Sequence, residues 1–335
     1  MNRFFLLILP FIVLNTVFGQ TAFDLGVEAY ENGQFQEAVD LYTKHRRSHN
    51  NANTHFNRAL AYYKLGMNEA AIEDYTVVLK HDPTDFEAWH NRSLAYRKQG
   101  DLKKALLDSK KTIELNPDYE KAYNTIGLCY FSLKQYEEAI ENYNQGIKLK
   151  KSDLFYYNRA LAYQELKQFD RAVIDFTSAI NLSENIEYYW ARANSLYSNK
   201  NYKKSLVDYG TAIEFDDSIA SLFYNRGLSY YFDYQDELAL KDFQKALSLE
   251  PNDVDTKWYI ALCFYELENY EESLNYYNQV ELNQPNYEYL KQLSKEELIK
   301  KIRLADNLMY IVSLIVLALL AMILFSKLFL KKKNL

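Results

Sequence analysis

Between residues 20 and 286, apolar and small side chains recur at helical spacing, in paired runs that repeat every 33 or 34 residues. In one such stretch Phe56, Ala59, Leu60 and Tyr63 mark the face of a first helix, and Gly66 interrupts it. Ala70, Ala71, Ile72, Tyr75, Val78 and Leu79 mark a second helix, which Asp82-Pro83 stops. The same pattern predicts helix-turn-helix units opening at Gly19, Ala52, Phe86, Glu120, Asp153, Ile186, Ala220 and Val254. Small residues at the eighth and twentieth places (Ala59 with Ala71, Gly127 with Ala139, Gly227 with Ala239) let paired helices approach closely. Large rings at the twenty-fourth place (Tyr42, Tyr75, Tyr143, Phe176, Tyr209, Phe243, Tyr277) fill the space toward the next unit. Four of the five prolines (Pro83, Pro117, Pro251, Pro285) stand in the turn between units. The expected fold is all-α, a solenoid of about eight such units.

This combination resembles the tetratricopeptide repeat family over residues 20–286, with mild departures. Ser109 replaces the ring in the third unit, His45 stands where a small residue is expected, and the fifth and sixth units lack the proline. The resemblance implies a right-handed superhelix whose first helices line a concave face. Some members clamp a terminal carboxylate with Lys, Asn and Arg. The nearest match is Asn57, Asn91 and Lys121, with Phe56 and Thr125 where basic groups should stand, so that specialised role is not expected.

One covariation runs inside the repeat. Arg58, Arg92, Arg159, Arg192 and Arg226 hold the seventh place, and Asp74, Asp108, Asp175, Asp208 and Asp242 follow sixteen residues later in those same units. The other units carry Leu25 with Leu41, Ile126 with Asn142 and Ile260 with Tyr276. Joint presence and joint absence predict an ion pair between the two helices of a unit, or else shared descent of the arginine-bearing units.

The implied concave face points to a binding role. Its fifth places are Phe23, Phe56, His90, Asn124, Tyr157, Trp190, Tyr224 and Trp258; its twelfth are Tyr30, Tyr63, Arg97, Phe131, Gln164, Tyr197, Tyr231 and Tyr265. From the fifth unit onward these form a nearly continuous aromatic stripe, with Asn158, Asn194 and Asn225 interspersed. Tyr and Trp bury large area at low entropy cost, and Asn pairs with a peptide backbone. The candidate ligand-binding residues are therefore Tyr157, Asn158, Trp190, Asn194, Tyr197, Tyr224, Asn225, Tyr231, Trp258 and Tyr265. Packing between units is the competing reading for each ring.

The ends change the picture. Residues 1–19 read as a secretory signal: Arg3, the apolar run Phe4 to Leu14, then Val17-Phe18-Gly19 before a cut at Gln20. Ser294-Lys295-Glu296-Glu297 reads as a capping box, and residues 287–306 as a capping and juxtamembrane helix. Residues 307–326 carry no charge, about 30 Å of helix and enough to span a bilayer. A basic tail, 327–335, follows. The export signal then puts the array across the membrane, in a bacterial periplasm, and the tail in the cytoplasm.

Charge narrows the partners. The formal net charge is -6, yet from Gln20 to Asn286 there are 29 basic against 41 acidic residues. Such an array repels phosphate backbones, which argues against nucleic acid. Cys129 and Cys263 share the tenth place of their units and read as buried core residues, too far apart for a disulfide. His45, His49 and His55 lack a local acidic or thiol ligand, so no metal is expected; an exposed helix end accounts for them. No phosphate loop, nucleotide fingerprint or nucleophilic triad appears, so no enzyme and no cofactor is expected. The reading is a membrane-anchored scaffold for a protein or peptide partner in envelope complex assembly. Two alternatives stay open: a tail-anchored cytosolic adaptor on an organelle membrane, and a carbohydrate-binding repeat module.

Overall fold

The computed structural model describes residues 21–283 and 295–333, with side chains described through residue 281 and again from 295 to 317. The expected signal at 1–19 and the basic tail's last two residues lie outside the described residues, as does the first residue of the expected capping box. Among the described residues the chain holds 17 α-helices and no strand. It divides after Ala162 into two bodies.

The first body contains α1 (Ala22–Glu31), α2 (Phe35–Arg46), α3 (Ala52–Lys64), α4 (Asn68–His81), α5 (Phe86–Gln99), α6 (Leu102–Leu115), α7 (Glu120–Ser132) and α8 (Tyr136–Leu149). It also takes the first turns of α9 (Asp153–Glu165). The second contains α10 (Phe169–Leu182), α11 (Ile186–Ser198), α12 (Tyr202–Phe215), α13 (Ala220–Phe232), α14 (Asp236–Leu249), α15 (Val254–Glu266), α16 (Tyr270–Asn283) and α17 (Lys295–Lys333). Seven of the eight first helices open at the residue expected to open a unit. The eighth, α1, starts at Ala22 because Thr21 caps it, exchanging hydrogen bonds with Asp24.

Close approach of the two helices makes each repeat. A Cβ on Gly26 would come within 2.7 Å of the Tyr42 ring, one on Gly127 within 2.3 Å of Tyr143, and one on Gly227 within 2.8 Å of Phe243. The twenty-fourth-place rings are accordingly sealed: Tyr42, Tyr75, Tyr143, Phe176, Tyr209 and Phe243 expose 1% or less. In the third repeat Ser109 takes that place and is buried with its hydroxyl unpaired.

The turn between a repeat's helices always passes through a left-handed residue at the fifteenth place. Gly33, Gly66 and Gly100 adopt it freely, whereas Lys134, Lys167, Lys200, Tyr234 and Glu268 adopt it at φ of 56 to 60°. Register, set by the packed helices on either side, overrides the local preference.

Within the two bodies, four of the five expected ion pairs form. Arg58 donates from Nε to Asp74 Oδ2 and from Nη2 to Oδ1, each at 2.7 Å. Arg92 grips Asp108 in the same way (2.7 and 3.0 Å), as Arg192 grips Asp208 (both 2.7 Å) and Arg226 grips Asp242 (2.7 and 2.8 Å). Arg159 and Asp175 fall on opposite sides of the division between bodies; within the first, Arg159 donates to Asn144. A third contact was not anticipated. The remaining nitrogen, Nη1, reaches the second helix of the preceding repeat, at the twenty-fifth place: Arg58 to Thr43 (3.1 Å), Arg92 to Thr76 (3.0 Å) and Arg192 to Thr177 (3.0 Å). Each of these three arginines therefore ties three helices together. For Arg226 the corresponding position is Gly210, and a Cβ there would stand 3.9 Å from Nη1 with no other neighbour that near.

The array ends under α17. Leu298 is fully buried against Trp258, Tyr277 and Val280, Lys295 pairs with Glu281 at 2.8 Å, and Tyr265 bonds Glu297 at 3.3 Å. The expected cap is thus present, but it does not end at residue 306: α17 runs on unbroken to Lys333. Among the described residues no helix is long and apolar enough to cross a membrane. The run expected to span, 307–326, enters α17 with its side chains exposed as far as residue 317, and beyond that its side chains lie outside the described residues.

Two stability measurements follow from the arginine contacts. Arg226→Leu alone strands a buried carboxylate, whereas Arg226→Leu with Asp242→Leu imitates a repeat built without the pair. A double-mutant cycle by chemical denaturation should give coupling of about 1 kcal/mol or more, and additive losses would refute a functional pair. Gly210→Thr should stabilise the chain by about 1 kcal/mol, through better helix propensity and an acceptor for Arg226. A drop in the denaturation midpoint would show that the gap cannot take the side chain.

Candidate functional site

First helices of neighbouring repeats touch one another directly: α1 with α3, α3 with α5 and α5 with α7 in the first body, α11 with α13 in the second. The side chains along this inner layer are where the sequence places the binding residues.

In the second body the rings gather around Tyr259, which was not among the candidates. Tyr259 stacks on Phe243 (centroids 5.4 Å, planes 22° apart) and meets Tyr224 (5.9 Å) and Tyr231 (5.8 Å) edge-on. Its sixth place carries Asn in the neighbouring repeat, at Asn225, so the change of residue type was the signal available. Burial pushes the phenols of Tyr224 and Tyr231 well up, so both stay neutral hydroxyls. Both rings, like Trp190, Tyr197 and Tyr265, are half-buried. Tyr197 packs beside Tyr202 and Phe232.

Trp258 is different. It exposes 1% of its surface and lies in the core under Leu298 of α17, so it supports the row and cannot meet a ligand there. Asn194 is also occupied on one side, its Oδ1 accepting from the buried Tyr209 hydroxyl at 2.6 Å. Among the described residues several polar groups of this layer remain unused. The indole N–H of Trp190 is buried without an acceptor, and the Asn225 amide makes no side-chain hydrogen bond among the described residues.

The first body holds Tyr157 and Asn158, both half-buried. Asn158 donates to Asn124 Oδ1 at 2.9 Å, a link between neighbouring first helices. His90, at the fifth place of its repeat, is buried edge-on to Tyr119 at 5.0 Å. Burial and the Lys121 charge push its pKa down to about 4, so the ring is neutral at pH 7.

The other histidines divide between two environments. His45 and His49 stack at 4.7 Å near a helix end, but only His49 is exposed as expected; His45 is half-buried against Phe23 (5.4 Å) and bonded to Thr54 (3.0 Å). His55 does not belong there: it is buried and holds Asp74 at 2.7 Å and Asn50 at 2.8 Å. Asp74 thus serves His55 and Arg58 together. Among the described residues no group of three His, Cys, Asp or Glu side chains could hold a metal ion. Cys129 and Cys263 are fully buried, and desolvation pushes the Cys129 thiol up to about 11 and Cys263 further up. Both are inert core residues.

Family patterns described as tetratricopeptide repeat match residues 52–85 and 120–153, 75–106, 155–186 and 224–288, together more than half of the chain. None of the curated proteins matches the chain in sequence. Among solved structures, the C-terminal part of a TPR repeat-containing protein from Cytophaga hutchinsonii aligns with a TM-score of 0.59 at 18% identity, over 70% of this chain and 97% of its own. A tetratricopeptide repeat protein from Parabacteroides merdae aligns with a TM-score of 0.54 at 21% identity, over 72% and 97%. YrrB, described as a TPR protein with an unusual peptide-binding site, aligns with a TM-score of 0.50 at 22% identity, over 54% and 95%. At these identities the likeness concerns the fold.

Proposed function

The chain belongs to the tetratricopeptide repeat family, and on that premise we propose that it is a non-enzymatic, membrane-anchored scaffold that captures a protein or peptide along the inner layer of its first helices. One observation carries the reading. In the second body this layer offers half-buried rings, Trp190, Tyr224 and Tyr231, beside an orphaned indole N–H at Trp190 and an unengaged amide at Asn225. A bound peptide backbone supplies both acceptor and donor for those groups while its side chains cover the rings. The YrrB description shows that this fold can house a peptide site. The acidic balance of the array disfavours nucleic acid, and no cofactor enters the reading.

Anchoring rests on α17. Its side chains from Leu308 to Leu317 are exposed and almost entirely apolar, and the uncharged sequence continues to Ser326 before Lys327. An apolar helix surface of that extent calls for a nonpolar cover, and a bilayer provides it. Together with the signal-like start at 1–19, this gives a single-pass protein with its repeats in the periplasm, its tail in the cytoplasm and a role in envelope complex assembly.

Two experiments address these claims. Trp190→Ala with Tyr224→Ala should weaken capture of partners from native membranes by about 2 kcal/mol or more with helicity intact, and Phe23→Ala with Tyr30→Ala should matter much less. Equal loss from both pairs, or loss only with unfolding, would reduce the stripe to packing. Protease added outside the inner membrane should digest the repeats, and the mature chain should begin at Gln20. A protected array starting at Met1 would support the cytosolic, tail-anchored arrangement instead.

A further inference from the structure

The outer surface of the second body carries an apolar strip that packing of the repeats does not use. Ile174 on α10 and Val207 on α12 hold the twenty-second place of their repeats and expose 65% and 68% of their surface. The next two repeats carry Lys241 and Asn275 there, the polar residues expected of a solvent-facing site. Between α10 and α12 lies an open groove of about 320 Å³, lined by Val173, Thr177, Leu196 and Val207 with the Arg192–Asp208 pair beside them. Two adjacent second helices thus leave a dented aliphatic surface in water.

Charge on this face is sorted by height. Arg171, Lys203 and Lys204 stand exposed at the amino ends of the two helices, and Glu184, Glu214 and Asp217 stand exposed at or just beyond the carboxyl ends. The acid at the amino end, Asp170, is held by Asn199 at 2.8 Å. Lys203, Lys204 and Glu214 enter no ion pair among the described residues. Along α12, Lys203, Val207 and Glu214 follow one another by four and then seven residues, so they share one side of the helix. Its lysine and glutamate ends lie about 16 Å apart, with Val207 between them.

We propose that this face pairs with the same face of a second copy of the chain, about a two-fold axis that sets α12 antiparallel to its counterpart. A two-fold contact is self-complementary when each end of the face meets its opposite. Reversal of α12 lays Lys203 and Lys204 over the second copy's Glu214, and Glu214 over the second copy's lysines. Val207 and Ile174 then fall beside their own counterparts near the axis, and the groove is closed over. An acidic membrane, or a foreign partner of single charge, would meet one end of the face as like charge; a second copy fits both ends. The first body supplies a contrast. On α6 the exposed Leu107 also follows Lys103 and Lys104, but Glu114 is already held by Lys111 at 2.8 Å, and the adjoining repeats carry Glu73 and Glu141 at the twenty-second place. Two helices of 14 residues, each about 21 Å long, make a small face that suits a reversible dimer.

The test is sedimentation equilibrium of the full chain in density-matched detergent at low salt. The unaltered chain should show a monomer–dimer equilibrium. Val207→Glu should weaken it about tenfold or more, whereas Leu107→Glu should leave it unchanged. Lys203→Glu with Lys204→Glu makes the face acidic at both ends, and Glu214→Lys makes it basic at both ends. Each of these charge variants alone should stay monomeric, and an equimolar mixture of the two should dimerise, because each supplies the charge that the other lacks. Recovery in the mixture also shows that both variants are folded. The proposal is overturned by an unaltered chain that is monomeric at about 100 μM, by dimers that survive Val207→Glu, as contact through α17 would give, or by charge variants that stay apart when mixed. Partner capture through Trp190 and Tyr224 is a separate readout, so either claim can fail without the other.

Discussion

Three of the eight repeats are built around a contact with no room for one more carbon atom. Where the eighth place is glycine, the opposing ring lies closer than any Cβ could tolerate, and at Gly127 the shortfall brings Tyr143 to 2.3 Å. Close packing of this kind fixes how far the two helices slide and turn against one another. That fixed geometry determines which residues of a first helix meet the next repeat and which remain on the inner layer. Replacing the ring with Ser109 leaves a buried, unpaired hydroxyl, so the third repeat keeps the backbone geometry without the same apolar filling.

The arginine contacts add direction to what packing alone leaves loose. A buried ion pair gives little net stability, since desolvation offsets much of its attraction, but it is intolerant of misplacement. Here one guanidinium satisfies an aspartate in its own repeat and, through Nη1, a hydroxyl in the repeat before it. Two of the three repeats without the pair substitute buried carbon, Ile126 and Ile260, whereas Leu25 in the first repeat is exposed. Polar and apolar solutions thus share one framework.

Most of the framework could be read from spacing, and the reasons for the misses are physical. Helix starts and twenty-fourth-place rings were legible because they depend on residue size at a fixed period. The Arg–Asp pairs were legible because both partners vanish together. The twenty-fifth-place acceptor was harder to see, since Thr and Asn serve equally well and Gly210 interrupts the series. Left-handed turns at Lys134 and Tyr234 break a local preference that sequence reading trusts. Trp258 looked equivalent to Trp190, and only the placement of Leu298 on it separates core from surface. His55 was misplaced for a similar reason: a partner nineteen residues away decides its burial.

The account comes down to which layer of helices meets the partner. A photoreactive amino acid introduced in cells at Tyr224, on the inner layer, and separately at Leu107, an exposed residue on second helix α6, compares the two directly. The account predicts a discrete cross-linked species from position 224 and none from position 107. Cross-linking confined to position 107 would contradict it.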